Sequence, residues 1–151
     1  MHIVVIEDCG QDRQWLVKEL KKAFSNLVIT EFGNASDFLL TLDTLSTVDV
    51  IITSNFLPLL NAGPDVEKLF ERLQLLFLEV VTNWTYQEAA ERLMRYMRKN
   101  GINIPVIIYT HSCKEEISQD IFQFTGVTYC NKNEYAENIL SDIREILSIS
   151  A

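Results

Sequence analysis

The chain has 151 residues, 48% hydrophobic and 23% charged, with a net charge of −8 and three cysteines. That length and composition predict one globular domain, 1–151, with a real core and no room for a separate output domain. The acidic balance disfavours nucleic acid and anionic membrane surfaces, because both are bound by clustered lysine and arginine.

No apolar run is long enough to span a bilayer. The first residues lack a basic stretch ahead of an apolar one, so no signal peptide is expected. An odd cysteine count without a CxxC pair predicts reduced thiols and a cytoplasmic protein.

In chain order, Ile3, Val4, Val5 and Ile6 form an unbroken β-branched run. Such a run reads as a strand buried on both faces, as in a parallel sheet. Trp15, Leu16, Leu20, Ala23 and Phe24 share one helical face, which predicts a helix over 11–24. A short strand is expected over 27–32. Asn34 or Ser36 can cap the next helix, which carries Phe38, Leu39, Leu42 and Leu45. Residues 48–53 form a third buried strand. A fourth strand is expected over 104–110, with Pro105 tolerable near its start. A helix is predicted over 114–124, then a turn at Gly126, a strand over 127–131 and a last helix over 134–149. Alternating strands and helices imply an α/β, three-layer sandwich with right-handed crossovers.

The stretch between the third and fourth strands is too long for one crossover. A first helix is expected from Pro64 to about residue 82, with Val66, Leu69, Phe70, Leu73, Leu76, Phe77, Val80 and Val81 in a 3-4 spacing. A second begins at Thr85 with Glu88 as its capping-box partner, and ends at Asn100 before Gly101. The second leads into the fourth strand, so residues 59–84 read as an insertion. The broad apolar stripe of the insertion, with Trp84 beside it, is a candidate interface, and a homodimer through it is one use of that face. Packing on its own domain is the equally weighted alternative.

Ligands of open parallel sheets sit outside the carboxyl ends of the strands. The predicted strands bring Glu7, Asp8, Ser54, Thr110 and Lys132 to that edge. Paired carboxylates suit a hard divalent cation, and a hydroxyl with an ammonium suits a phosphoryl group. This set resembles the receiver domain of two-component response regulators. Residues 3–8 match that family's first strand and acidic pair. Residues 49–58 match its third strand and the proline that follows, and 105–110 its fourth strand ending in a switch hydroxyl. Tyr129-Cys130-Asn131-Lys132 matches its fifth strand, with an aromatic switch residue three before the lysine.

The resemblance implies a flavodoxin-like, doubly wound five-stranded sheet of order 2-1-3-4-5. It also implies a Mg²⁺ site at the acidic pair, the acceptor aspartate and the backbone carbonyl of Phe56. Two positions depart from the pattern. Ser54 stands where the family has its phosphoacceptor aspartate, and Asn133 stands where a proline follows the lysine. Loss of the aspartate removes a metal ligand and the nucleophile together, so Mg²⁺ binding is expected to be weak. A serine hydroxyl needs an adjacent base to become a nucleophile, and neither His2 nor His111 is evidently placed as one.

Plainer readings stand beside these. Glu7 and Asp8 can be solvated acids that cap the next helix, and Thr110 and Tyr129 ordinary strand formers. Lys132 is expected to pair with Asp8 or Glu7 rather than to bind phosphate. Cys9, Cys113 and Cys130, gathered near His111, lack zinc-ligand spacing and read as small core residues. The expected function is therefore a stand-alone receiver-like, or pseudo-receiver, signalling protein that works by protein contact, with a histidine kinase or a downstream signalling protein as partner. The partner is expected to read the face bearing Thr110, Tyr129 and the helix after the fourth strand. One alternative is an active phospho-switch with Mg²⁺ and another acceptor, such as Asp8. A second is a flavodoxin-like small-ligand or electron-transfer protein, disfavoured by the absence of a phosphate loop after the first strand. No nucleophile–base pair is visible, so an enzyme is not expected.

Overall fold

Strands β1 (His2–Ile6), β2 (Val28–Phe32), β3 (Val50–Thr53), β4 (Val106–Thr110) and β5 (Val127–Asn131) form one parallel sheet in the order β2-β1-β3-β4-β5. The computed structural model describes residues 1–45, 47–55 and 89–149. The expected insertion over 59–84 lies outside the described residues, and with it Leu69, Phe70, Leu73, Leu76, Phe77, Val80 and Trp84. Phe56 lies outside them as well.

The β-branched runs are continuous because both faces of the sheet are covered. On one face Ile3, Val5, Val50, Ile52, Ile107, Tyr109 and Cys130 pack under α1 (Gly10–Ala23) and α4 (Ala136–Ile149). On the other, Val4, Ile6, Ile51, Val106 and Ile108 pack under α2 (Ala35–Thr41) and α3 (Ala89–Lys99). The period-two alternation of each strand thus sorts its side chains between two cores. The α/β class is the one expected from the alternating elements, and the strand order is the one the receiver resemblance implies.

Two caps show how local chemistry sets helix ends. Asn34 accepts a hydrogen bond from the Asp37 amide at 2.8 Å and starts α2. At the other end of α3, Gly101 adopts φ 73°; its amide donates to Arg98 O at 3.1 Å, and Ile102 N donates to Met97 O at 2.8 Å. That pair of bonds is a Schellman motif, with Ile102 and Met97 in the same core.

The helix expected over 114–124 is not formed. Two short 3₁₀ segments, Lys114–Glu116 and Gln119–Gln123, take its place. Ile117 (ψ 142°) is extended and Ser118 (ψ 120°) is non-helical, and together they interrupt the turn. Gln119 then donates to the carbonyls of Lys114 and Ile117, both at 3.0 Å, supplying locally what an α-helical ladder would have supplied. Ile117 and Ile121 still reach the core, so the apolar spacing is used without a helix.

Candidate functional site

The carboxyl ends of β1, β3, β4 and β5 deliver Glu7, Ser54, Thr110 and Lys132, each one residue at or beyond the last paired position. Backbone bonds fix them there: Glu7 N to Phe32 O at 2.9 Å, Ser54 N to Ile6 O at 2.9 Å, and Lys132 N to Thr110 O at 2.8 Å. Glu7, Ser54 and Thr110 are all buried, and Asp8 is exposed.

Lys132 is the centre of the polar arrangement. Its side chain is 5% exposed, and its ammonium donates to Glu7 Oε2 at 2.5 Å and to Asp12 Oδ2 at 2.9 Å. The Tyr109 ring lies 5.5 Å from Nζ. Glu7 also accepts from the Cys9 amide at 3.0 Å, so its carboxylate closes the turn that enters α1, whose N-cap is Cys9. The Glu7 carbonyl accepts from Arg13. The helix N-terminus is therefore bound through the Glu7 carboxylate and not through a cap by Asp8.

Charge on this cluster follows from its burial. Burial pushes the Glu7 carboxyl above its usual range, against the pull of Lys132 and the Cys9 amide. Asp12, hydrogen-bonded to Lys132 and more open to solvent, is held below its usual range. Burial acts to lower Lys132, but its bonds to Glu7 and Asp12 outweigh that and hold the ammonium above its usual value. Two carboxylates serve one cation, so the lysine keeps its proton while Glu7, with one cation and almost no water, is the more easily protonated acid.

Asp12 was not visible as a site residue in the sequence. It sits on α1, and only its register on the helix brings it opposite Lys132, 120 residues away. His111 Nε2 lies 3.4 Å from the same Asp12 oxygen, and His111 Nδ1 lies 2.9 Å from Asn133 Oδ1. Asn133, at the position where the family resemblance expects proline, thus ties the β5 exit to the β4 exit. His2 lies at the far end of the sheet, bonded to Thr30 at 2.9 Å, and takes no part.

The switch-type residues are held by the loop after β4. The Ser112 amide donates to Thr110 Oγ1 at 3.3 Å, Tyr129 OH donates to Ser112 O at 2.8 Å, and Asn131 Nδ2 donates to Tyr129 OH at 2.9 Å. Tyr129 packs with the α2–α3 core, whereas Tyr109 belongs to the α1–α4 core, so the two tyrosines lie on opposite faces. Cys9 and Cys113 are exposed and Cys130 is buried, all three as free thiols.

The site does not suit Mg²⁺ as it stands. Among the described residues no three carboxylate, histidine or cysteine groups converge as metal ligands. Glu7 is committed to Lys132 and the Cys9 amide, and Ser54 offers a neutral oxygen where a hard cation favours charged ones.

By sequence alone the chain matches no protein-family model and no curated protein. By structure it is similar to a Francisella response regulator receiver domain, with 15% identity, a TM-score of 0.67, and coverage of 99% of this chain and 98% of that one. It is also similar to a signal receiver domain of a two-component histidine kinase from Clostridium thermocellum, with 18% identity, a TM-score of 0.68, and coverage of 97% and 96%. A third likeness is the signal receiver domain of an HD domain-containing protein from Pseudomonas fluorescens, with 16% identity, a TM-score of 0.66, and coverage of 97% and 94%. The chain has the five-stranded, flavodoxin-like fold of receiver domains.

Proposed function

We propose that this chain is a receiver-like signalling protein that acts through protein contact and does not carry an aspartyl phosphate at the usual position. It is a pseudo-receiver in the cytoplasm and not an enzyme. Its partner is a histidine kinase or a downstream signalling protein. The observation that carries the reading is the state of Lys132. The ammonium already has two internal carboxylate partners, Glu7 and Asp12, while Ser54 occupies the acceptor position. A phosphoryl-contact lysine that is already neutralised needs no phosphorylated aspartate to hold it in place.

The fold likeness to receiver domains along nearly the whole chain supports the signalling class. The contacts of Thr110, Ser112 and Tyr129 tie the loop after β4 to β4 and β5, which fits a surface presented to a protein partner. The test is intact mass after incubation with Mg²⁺ and acetyl phosphate, for the native chain beside Ser54→Asp. Uptake by the variant alone is the expected result. Stable uptake by the native chain would replace this reading with a phospho-switch that uses another acceptor, which peptide mapping would locate.

A further inference from the structure

Lys132 takes one carboxylate from the strand edge and one from outside it. Glu7 ends β1, but Asp12 comes from the first turn of α1. A single oxygen, Asp12 Oδ2, meets both Lys132 Nζ at 2.9 Å and His111 Nε2 at 3.4 Å. It therefore sits between two nitrogens of the strand edge, the Lys132 ammonium that donates to it and the His111 ring nitrogen, as one oxygen of an oxyanion would. Asp12 also borders a cavity of about 150 Å³ shared with Trp15, Tyr109, His111, Lys132 and Glu134. That volume admits a small tetrahedral anion, yet Lys132, the buried cation among its described lining residues, is already turned onto Asp12 and Glu7.

We propose that Asp12 is a built-in ligand of Lys132, a carboxylate on α1 that fills the lysine's anion position and keeps the cavity closed to external oxyanions. The proposal rests on the reading of Lys132 as a phosphoryl-contact lysine. An ammonium has three donors, and Glu7 and Asp12 take two of them. With one cation and two carboxylates the cluster carries an excess negative charge, and Glu134 adds to it at the cavity wall. An incoming anion must displace Asp12 to reach the lysine. When Asp12 is removed, Lys132 and His111 face the cavity with one carboxylate fewer.

The experiment is titration with inorganic phosphate of the native chain, Asp12→Ala and Glu134→Ala, followed by Trp15 fluorescence and by ¹⁵N shifts at Lys132 and His111. Glu134 is the control for loss of one negative charge from the same cavity without loss of a Lys132 partner. Phosphate should bind Asp12→Ala at least about tenfold more tightly than the native chain, with shifts confined to Lys132 and His111, and Glu134→Ala should stay within about twofold of native. Equal affinity in all three chains would overturn the proposal, and so would an equal gain in both variants, which would mean bulk charge alone. Asp12→Asn keeps the shape of the side chain and should give a smaller gain of the same sign; it decides the matter if the alanine variant does not fold. Phosphoryl uptake by the native chain, read by mass, would defeat the functional reading without touching this phosphate result.

Discussion

A lysine ammonium leaves water only when carboxylates go with it. Lys132 and Glu7 are both almost wholly buried, and they join β5 to β1 across the strand edge. Removing one partner leaves the other charge stranded, so Lys132→Met should cost about 3 kcal/mol of stability at neutral pH. The sign of the pH dependence follows from Glu7. Its folded carboxyl is already raised by burial, and loss of Lys132 raises it further. Protonation then relieves the stranded charge, so the cost should shrink as the pH falls toward 4. The double variant Glu7→Gln, Lys132→Met removes both charges and should recover most of the loss. Urea midpoints of the native, single and double variants at two pH values provide the check. A single-variant cost below about 1 kcal/mol would place the pair among solvated ion pairs.

Helix ends show how far elements were legible in the chain and where legibility stopped. Gly10 opens α1 with negative φ and Gly101 follows α3 with φ 73°, and a Cβ at either position meets nothing within 4 Å. Space is equal, so only backbone conformation separates them. Gly10→Ala should stabilise by about 0.4–1 kcal/mol through the unfolded chain. Gly101→Ala should destabilise by about 1–2 kcal/mol, since it forces a side chain into the left-handed region. Thermal midpoints that move in the same direction for both would contradict this. Gly101 was readable as a cap because the 3-4 apolar pattern ends just before it. The strands were readable for a similar reason, as runs such as Ile3–Ile6 that only a two-sided core can bury. The 114–124 segment misled because Ile117 and Ile121 stand four apart, a spacing that two 3₁₀ segments around an extended Ile117 and a non-helical Ser118 serve equally well. Asp12 carries no local signal at all. Its role depends on the meeting of α1 with the β5 exit, a contact between distant residues that periodicity does not encode.

On the scale of the whole molecule, its titrating groups give opposed trends in acid and concerted ones in base. Asp12 is depressed by Lys132, so its contribution is present above the unfolded carboxylate pKa and is lost as the pH falls through the folded value. Glu7 and Asp142 are raised by burial and act the other way, binding protons more readily in the folded chain. The acid limb should therefore be shallow at first. In base three of the perturbed groups, Cys130, Tyr109 and Lys132, agree. Burial pushes the Cys130 thiol from 9.0 to about 12, and it also pushes the Tyr109 hydroxyl up. Between the unfolded and folded pKa of each, the unfolded chain has lost a proton that the folded chain keeps, so stability falls as the pH rises. Lys132 adds to this, since its contribution is complete below the unfolded lysine pKa and is lost as the pH rises through its raised folded value. Each group fully titrated in the unfolded chain alone contributes a slope of about 1.4 kcal/mol per pH unit. Urea midpoints should thus drop steeply above about pH 9, near the free thiol pKa, and Cys130→Ala should flatten the first part of that fall by one group's share. An alkaline limb unchanged by Cys130→Ala would mean that the thiol ionises in the folded chain, and that the α1–α4 core admits water beside β5.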